Sequence, residues 1–143
     1  MPCLNLDKCQ TLYYKKIDGD LNKPCLVFLH EGLGCEKMWK SFPEELCLRT
    51  GCPGLVYDRI GYGQSTPLMS NRTVHYLHQY AFVELFFVLE TLIPQRSYIL
   101  VGHSDGASIS LIHASQKPQN LIGVISMAAH VIVEPVTLEG IRI

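Results

Sequence analysis

The hydrophobic positions of the chain fall into short unbroken runs separated by stretches with a helical beat. Residues 25–29 (Cys-Leu-Val-Phe-Leu), 54–57 (Gly-Leu-Val-Tyr), 98–101 (Tyr-Ile-Leu-Val) and 121–129 (Leu-Ile-Gly-Val-Ile-Ser-Met-Ala-Ala) are almost wholly apolar. Runs of this length without a polar face predict strands covered on both sides, as in a parallel sheet. Residues 11–17 alternate loosely and carry Lys15 and Lys16, which predicts an edge strand. Between the runs, residues 74–93 place Leu77, Ala81, Leu85, Val88 and Leu92 on one stripe and Phe82, Phe86, Leu89 and Ile93 on its neighbour, predicting a long, broadly buried helix. Residues 37–48 set Met38, Trp39, Phe42 and Leu46 at helical spacing, with Pro43 kinking or restarting the helix and Trp39 as a packing residue. Ala107 to Ile112 offer small and apolar residues for a further helix that ends before Pro118. Strands alternating with helices predict an α/β domain with a mostly parallel sheet flanked by helices.

Three of the apolar runs end in glycine-bearing loops, and in an open α/β sheet that carboxyl edge is where ligands bind. The run at 98–101 continues as Gly102-His103-Ser104-Asp105-Gly106 and then as the small-residue helix. Strand, sharp turn and helix in this order make Ser104 a candidate nucleophile, with Gly102 and Gly106 giving the clearance that lets strand and helix pass closely. The helix beginning at Asp105 aims free N–H groups at the same spot, where an oxyanion would be stabilised. The run at 25–29 ends in His30-Glu31-Gly32-Leu33-Gly34, whose glycine amides could approach a substrate oxygen and complete an oxyanion hole with the N–H of Asp105. The run at 54–57 ends in Asp58-Arg59-Ile60-Gly61-Tyr62-Gly63-Gln64-Ser65, in which Asp58 and Arg59 read as a charged pair pinning a loop. His75 and His78 fall at the polar start of the long helix and read as solvated or capping groups. His103 is expected to point away from Ser104 into the sheet, because successive strand residues alternate faces.

Composition narrows the field of functions. The 143 residues are 48% hydrophobic and 17% charged, which predicts one domain with a substantial core and no extended disorder. With a net charge of −1 and scattered lysines and arginines, nothing points to nucleic acid or an anionic membrane as partner. The longest apolar stretch, residues 80–93, is interrupted by Glu84 and Glu90 and is too short to span a bilayer. The start, residues 1–8, has neither a basic segment nor an apolar one, so a cytoplasmic protein is expected. All six cysteines lie in the first 52 residues and are expected as reduced thiols, several of them buried. Their spacings do not match a zinc site, and neither metal nor cofactor is expected.

Taken in order, the loops at 30–34, 58–65 and 102–106 resemble those of the α/β-hydrolase superfamily, in particular its single-domain esterase-like members. The resemblance covers about residues 11–135. It implies an α/β-hydrolase-like fold, Ser104 as nucleophile, and the amides of Gly32 and Asp105 as oxyanion hole, with Leu33 as the fallback for the first. The superfamily order is nucleophile, acid, then histidine. Of the six histidines (His30, His75, His78, His103, His113 and His130) none lies in a late loop, and His130 is weighed only as a stand-in. Residues 1–135 are therefore expected to be the N-terminal part of a hydrolase core lacking its C-terminal strands, and 136–143 the start of a missing cap or C-terminal portion. The resemblance implies a serine hydrolase acting on a small-molecule acyl substrate through an acyl-enzyme, inactive as a fragment. A non-catalytic binding or scaffold module of the same fold is the alternative. The strand at 121–129 is expected to be covered by the missing half or by a second copy.

Overall fold

The computed structural model describes residues 2–6 and 9–141. Its centre is a six-stranded sheet in the order β1-β2-β4-β3-β5-β6, built from β1 (Cys3–Asn5), β2 (Thr11–Ile17), β3 (Cys25–Leu29), β4 (Gly54–Tyr57), β5 (Tyr98–His103) and β6 (Leu121–Met127). The four strands β4, β3, β5 and β6 run parallel, whereas β1 and β2 join antiparallel at one side.

The apolar runs of β3, β4 and β5 become parallel strands with both faces covered, whereas β6, expected from its sequence to be covered in the same way, has no fully buried residue. Along β3, Val27 and Leu29 enter one core with Leu55, Tyr57, Leu85, Val88, Leu100 and Ile109. The alternate residues Leu26 and Phe28 enter a second core with Cys47, Val56 and Val101. The period-two alternation of a strand thus splits one uninterrupted hydrophobic run between two layers.

The helices complete those layers. After a 3-10 turn at Glu36–Trp39, α1 (Phe42–Thr50) begins with Pro43 in its first turn, where a missing N–H costs nothing. Pro43 therefore restarts the helix instead of kinking it. Trp39 stacks on Phe42 with ring centroids 5.7 Å apart and sets its edge against Phe28, a packing role. The stretch predicted as one helix over 74–93 is α2 (Tyr76–Gln79), a π segment (Tyr80–Glu84) and α3 (Leu85–Leu92) in direct succession. In the first stripe Ala81, Leu85 and Val88 are buried and Leu77 and Leu92 partly so, whereas in the second Leu89 is buried but Phe82 and Phe86 are exposed. The extra residue of the π turn rotates the helix beyond it, so a stripe drawn at constant helical spacing does not stay on one face. α4 (Asp105–Ser115) packs beside it on β3, β5 and β6, and a short α5 (Pro135–Ile141) follows β6.

Two expectations for the strands need correction. β2 is not an edge strand, since β1 pairs along its outer side; a run of three residues is too short to carry a readable pattern. Its lysines are used in place, Lys15 against Glu36 and Glu44 and Lys16 Nζ donating to the Leu92 carbonyl at 3.1 Å. The strand predicted over 121–129 ends at Met127. β6 pairs with β5 through a bulge at Ile122 and, among the described residues, has its other side unpaired. All six cysteines are free thiols, with Cys25, Cys47 and Cys52 buried. No helix among the described residues is long and apolar enough to cross a membrane, and no cluster of metal-ligating side chains occurs among them.

Candidate active site

β5 and α4 meet at Ser104, whose backbone is held at φ 53° and ψ −116°. A non-glycine residue in this region is strained, and the surroundings must over-determine it. They do. The Ser104 N–H donates to Met127 O at 2.9 Å, and the Ser108 N–H donates to Ser104 O at 3.0 Å as the first turn of α4 closes. The tight packing relies on two absent side chains: a Cβ on Gly102 would stand 2.6 Å from Ala107 N, and one on Gly106 2.7 Å from His30 O. Ser104 itself remains partly exposed above the carboxyl edge of the sheet, and Asp105 opens the helix behind it. Strand, tight turn and helix thus follow one another directly at Ser104.

The first loop is brought against this elbow. A Cβ on Gly32 would lie 2.7 Å from Asp105 Oδ2, so the loop backbone passes directly against the Asp105 carboxylate. The same carboxylate oxygen accepts from Tyr76 OH at 3.0 Å. Burial, and next to it the charge of Asp105, pushes the Tyr76 phenol up to about 12, so it stays a donor at neutral pH. Leu33, the fallback donor, projects its side chain into solvent.

Beneath the loop, His30 and Arg59 form a buried brace. His30 Nδ1 lies 2.7 Å from Glu31 O, and Nε2 accepts from the Arg59 N–H at 3.2 Å. Burial and the nearby guanidinium hold the imidazole down at about 3, so it is neutral with both nitrogens committed. Arg59, only 1% exposed, donates through Nη1 to His30 O at 2.8 Å and through Nη2 to Glu31 O at 3.0 Å, with its guanidinium 4.9 Å from the Tyr62 ring centre. Asp58 works separately, accepting from the N–H groups of Glu36 at 2.6 Å and Gln64 at 2.8 Å. The two residues pin two different loops and are not paired with each other.

The histidines divide cleanly. His75 and His78 are exposed at the start of α2, as read. His113 is buried in structural contacts, with Nε2 2.7 Å from Tyr98 OH and Nδ1 donating to Ala81 O at 3.1 Å. His103 does not point into the sheet; its side chain is 45% exposed and Nδ1 lies 3.5 Å from Glu31 Oε2. It is the last residue of β5, where the strand has already risen past the covering helices, so alternation no longer implies burial. His130, weighed only as a stand-in, has its Nε2 3.0 Å from Ser104 Oγ. Its N–H donates to Ser108 Oγ at 2.9 Å, an anchor the sequence reading missed although Ser108 stands one helical turn beyond Ser104. Tyr76 was missed as well. On its far side lies a cavity of about 510 Å³ whose lining includes Ile60, Leu68, Arg72, Tyr80 and Glu84.

Known proteins share this fold. The chain is 31% identical over 110 residues to the mouse sn-1-specific diacylglycerol lipase ABHD11, covering 75% of this chain and 33% of that protein. It is 35% identical over 106 residues to the 2-succinyl-6-hydroxy-2,4-cyclohexadiene-1-carboxylate synthase of Photorhabdus laumondii, covering 73% and 34%. Among solved structures, a carboxylesterase of the thaumarchaeon Nitrososphaera gargenis superposes with a TM-score of 0.81 at 22% identity, over 99% of this chain and 50% of that one. Mouse alpha/beta hydrolase domain-containing protein 10 does so with a TM-score of 0.73 at 22% identity, over 96% and 56%. The chain thus spans about a third of the length of these curated relatives and about half of these solved structures. The sequence model of the alpha/beta hydrolase fold matches residues 24–140, most of the chain, and the chain belongs to that family.

Proposed function

We propose that the protein is a serine hydrolase that cleaves an ester, thioester or related acyl bond through an acyl-enzyme on Ser104. The observation that carries this reading is the strained backbone of Ser104, which presents a partly exposed hydroxyl at the junction of β5 and α4. Attack by Oγ on the acyl carbon drives the carbonyl electron pair onto oxygen. The amides of Gly32 and Asp105 supply the hydrogen bonds that hold this charge, and the α4 dipole favours it. Collapse expels the leaving group and leaves the acyl group on Ser104. That two relatives carry the names of a lipase and a carboxylesterase supports ester chemistry, whereas the synthase among them shows that the fold alone does not set the reaction.

The test is covalent labelling with a fluorophosphonate, followed by peptide mass spectrometry. A phosphonyl adduct on Ser104, absent from Ser104→Ala, is the expected result. A chain that is folded by circular dichroism and takes no label at Ser104 would overturn the reading.

A further inference from the structure

We propose that the cavity beyond Tyr76 binds an apolar monocarboxylate, its carboxylate on Arg72 and its chain between the loop after β4 and the helical run from α2 to α3. The site stands apart from Ser104 and does not rest on its chemistry. The cavity, of about 510 Å³, is lined by no residue of the first loop or of the elbow, and Tyr76 forms the wall between the two. Its volume falls in the range of small-molecule sites.

Three observations carry it. The first is a concentration of positive charge around one ring. Arg59 and Arg72 hold their guanidinium carbons 4.9 Å and 4.6 Å from the centre of the Tyr62 ring, and among the described residues neither has a carboxylate in an ion pair. Arg59 is buried and spends its donors on the carbonyls of His30 and Glu31. Arg72 is exposed, lies 5.5 Å from the Tyr76 ring centre as well, and lines the cavity. Aromatic faces hold a guanidinium in place without neutralising it, so its planar fork stays open to a carboxylate.

The second is that nothing else in the wall cancels this charge. Its one carboxyl, Glu84, is 6% exposed and already accepts from the Ile60 N–H through Oε2. Burial raises it to about 8, and burial raises the phenols of Tyr76 and Tyr80 too, so all three are neutral at neutral pH. One net positive charge remains, which matches a monoanion.

The third is the grading of the apolar wall. Ile60 is buried at the floor, Phe87 is half-buried, and Leu68 and Val83 stand open at the rim, so a hydrocarbon chain laid along them leaves water together with them. Ser70 and Asn71, next to Arg72 in the chain, line the same cavity and offer further donors to a carboxylate.

The test titrates octanoate into the isotope-labelled 143-residue chain and follows its backbone amide resonances. Octanoate is expected to move the amides of Tyr76, Tyr80 and Val83 along one saturable curve. Octanamide, the same chain without the charge, is expected to bind about 10-fold more weakly. Arg72→Gln, at an exposed position, is expected to weaken octanoate by about 10-fold and to leave octanamide unchanged. Val83→Trp, which fills the cavity from its exposed rim, is expected to abolish binding of both. Equal affinity for octanoate and octanamide, octanoate binding that survives Val83→Trp, or the absence of a saturable shift at these amides would overturn the proposal. Each of those results leaves the reading of Ser104 standing, because its labelling does not involve this cavity.

Discussion

Gly106 packs face-on against the carbonyl of Leu29, so that α4 begins in direct backbone contact with β3. Neither Gly106 nor Gly102 has a backbone angle reserved for glycine, and both are needed only for space. The obstacles are main-chain atoms, which cannot swing aside as a side chain would. Gly106→Ala is expected to cost about 3 kcal/mol or more, by forcing α4 off the sheet. Gly102→Ala, which meets the first turn of α4, is expected to be comparable. Urea denaturation of each variant, with the slope compared to wild type, checks this.

Arg59 bears on the first loop in the same way. Replacing it with Met would leave the carbonyls of His30 and Glu31 without their donors in a buried setting, at an expected cost of about 2–4 kcal/mol. Lys cannot fork to two carbonyls and should recover only part of the loss. Alongside denaturation, limited proteolysis should find new cleavage near residues 31–34 in both variants.

Much of this was legible in one dimension. The apolar runs gave the parallel strands, and the three strand-end loops converge as their order implied. Ser104, Gly102 and Gly106 lie within five residues, so the elbow is a local signal. His130 and Ser108 are 22 residues apart and meet only because β6 lies in register beside β5, which no local spacing reveals. Glu84 read as a polar interruption of an apolar stretch. It is in fact a buried carboxyl in the π segment, with Oε2 accepting from the Ile60 N–H at 3.1 Å and Oε1 unpartnered.

That carboxyl and His30 shape the pH dependence of stability from opposite sides. Burial raises Glu84 from 4.5 to about 8, against a smaller opposing pull from Arg59. Between those values the native chain keeps a proton that the unfolded chain sheds, so stability falls as pH rises. His30 is lowered from 6.5 to about 3, so the unfolded chain gains a proton that the native one refuses, and stability falls as pH drops through that range. Glu84→Gln keeps the acceptor for Ile60 and is expected to stabilise by a few kcal/mol at about pH 8 and by almost nothing at about pH 4. Thermal melts of both chains across that range provide the check.

β6 carries Ile122 and Ile125, which are 59% and 45% exposed, and among the described residues its outer edge is unpaired. Such an edge invites another strand. The 143-residue chain is expected to self-associate at micromolar concentration, and Ile122→Lys with Ile125→Lys to shift it toward monomer in sedimentation velocity.

The interior thiols have a practical consequence. Burial lifts Cys25 on β3 and Cys47 on α1 to about 11, so at neutral pH almost none of either is the anion that alkylating reagents capture. Each becomes reactive only when its surroundings part. The chain therefore carries two built-in clocks of its own breathing: maleimide uptake at Cys47 times the departure of α1, and uptake at Cys25 times the opening of the central sheet.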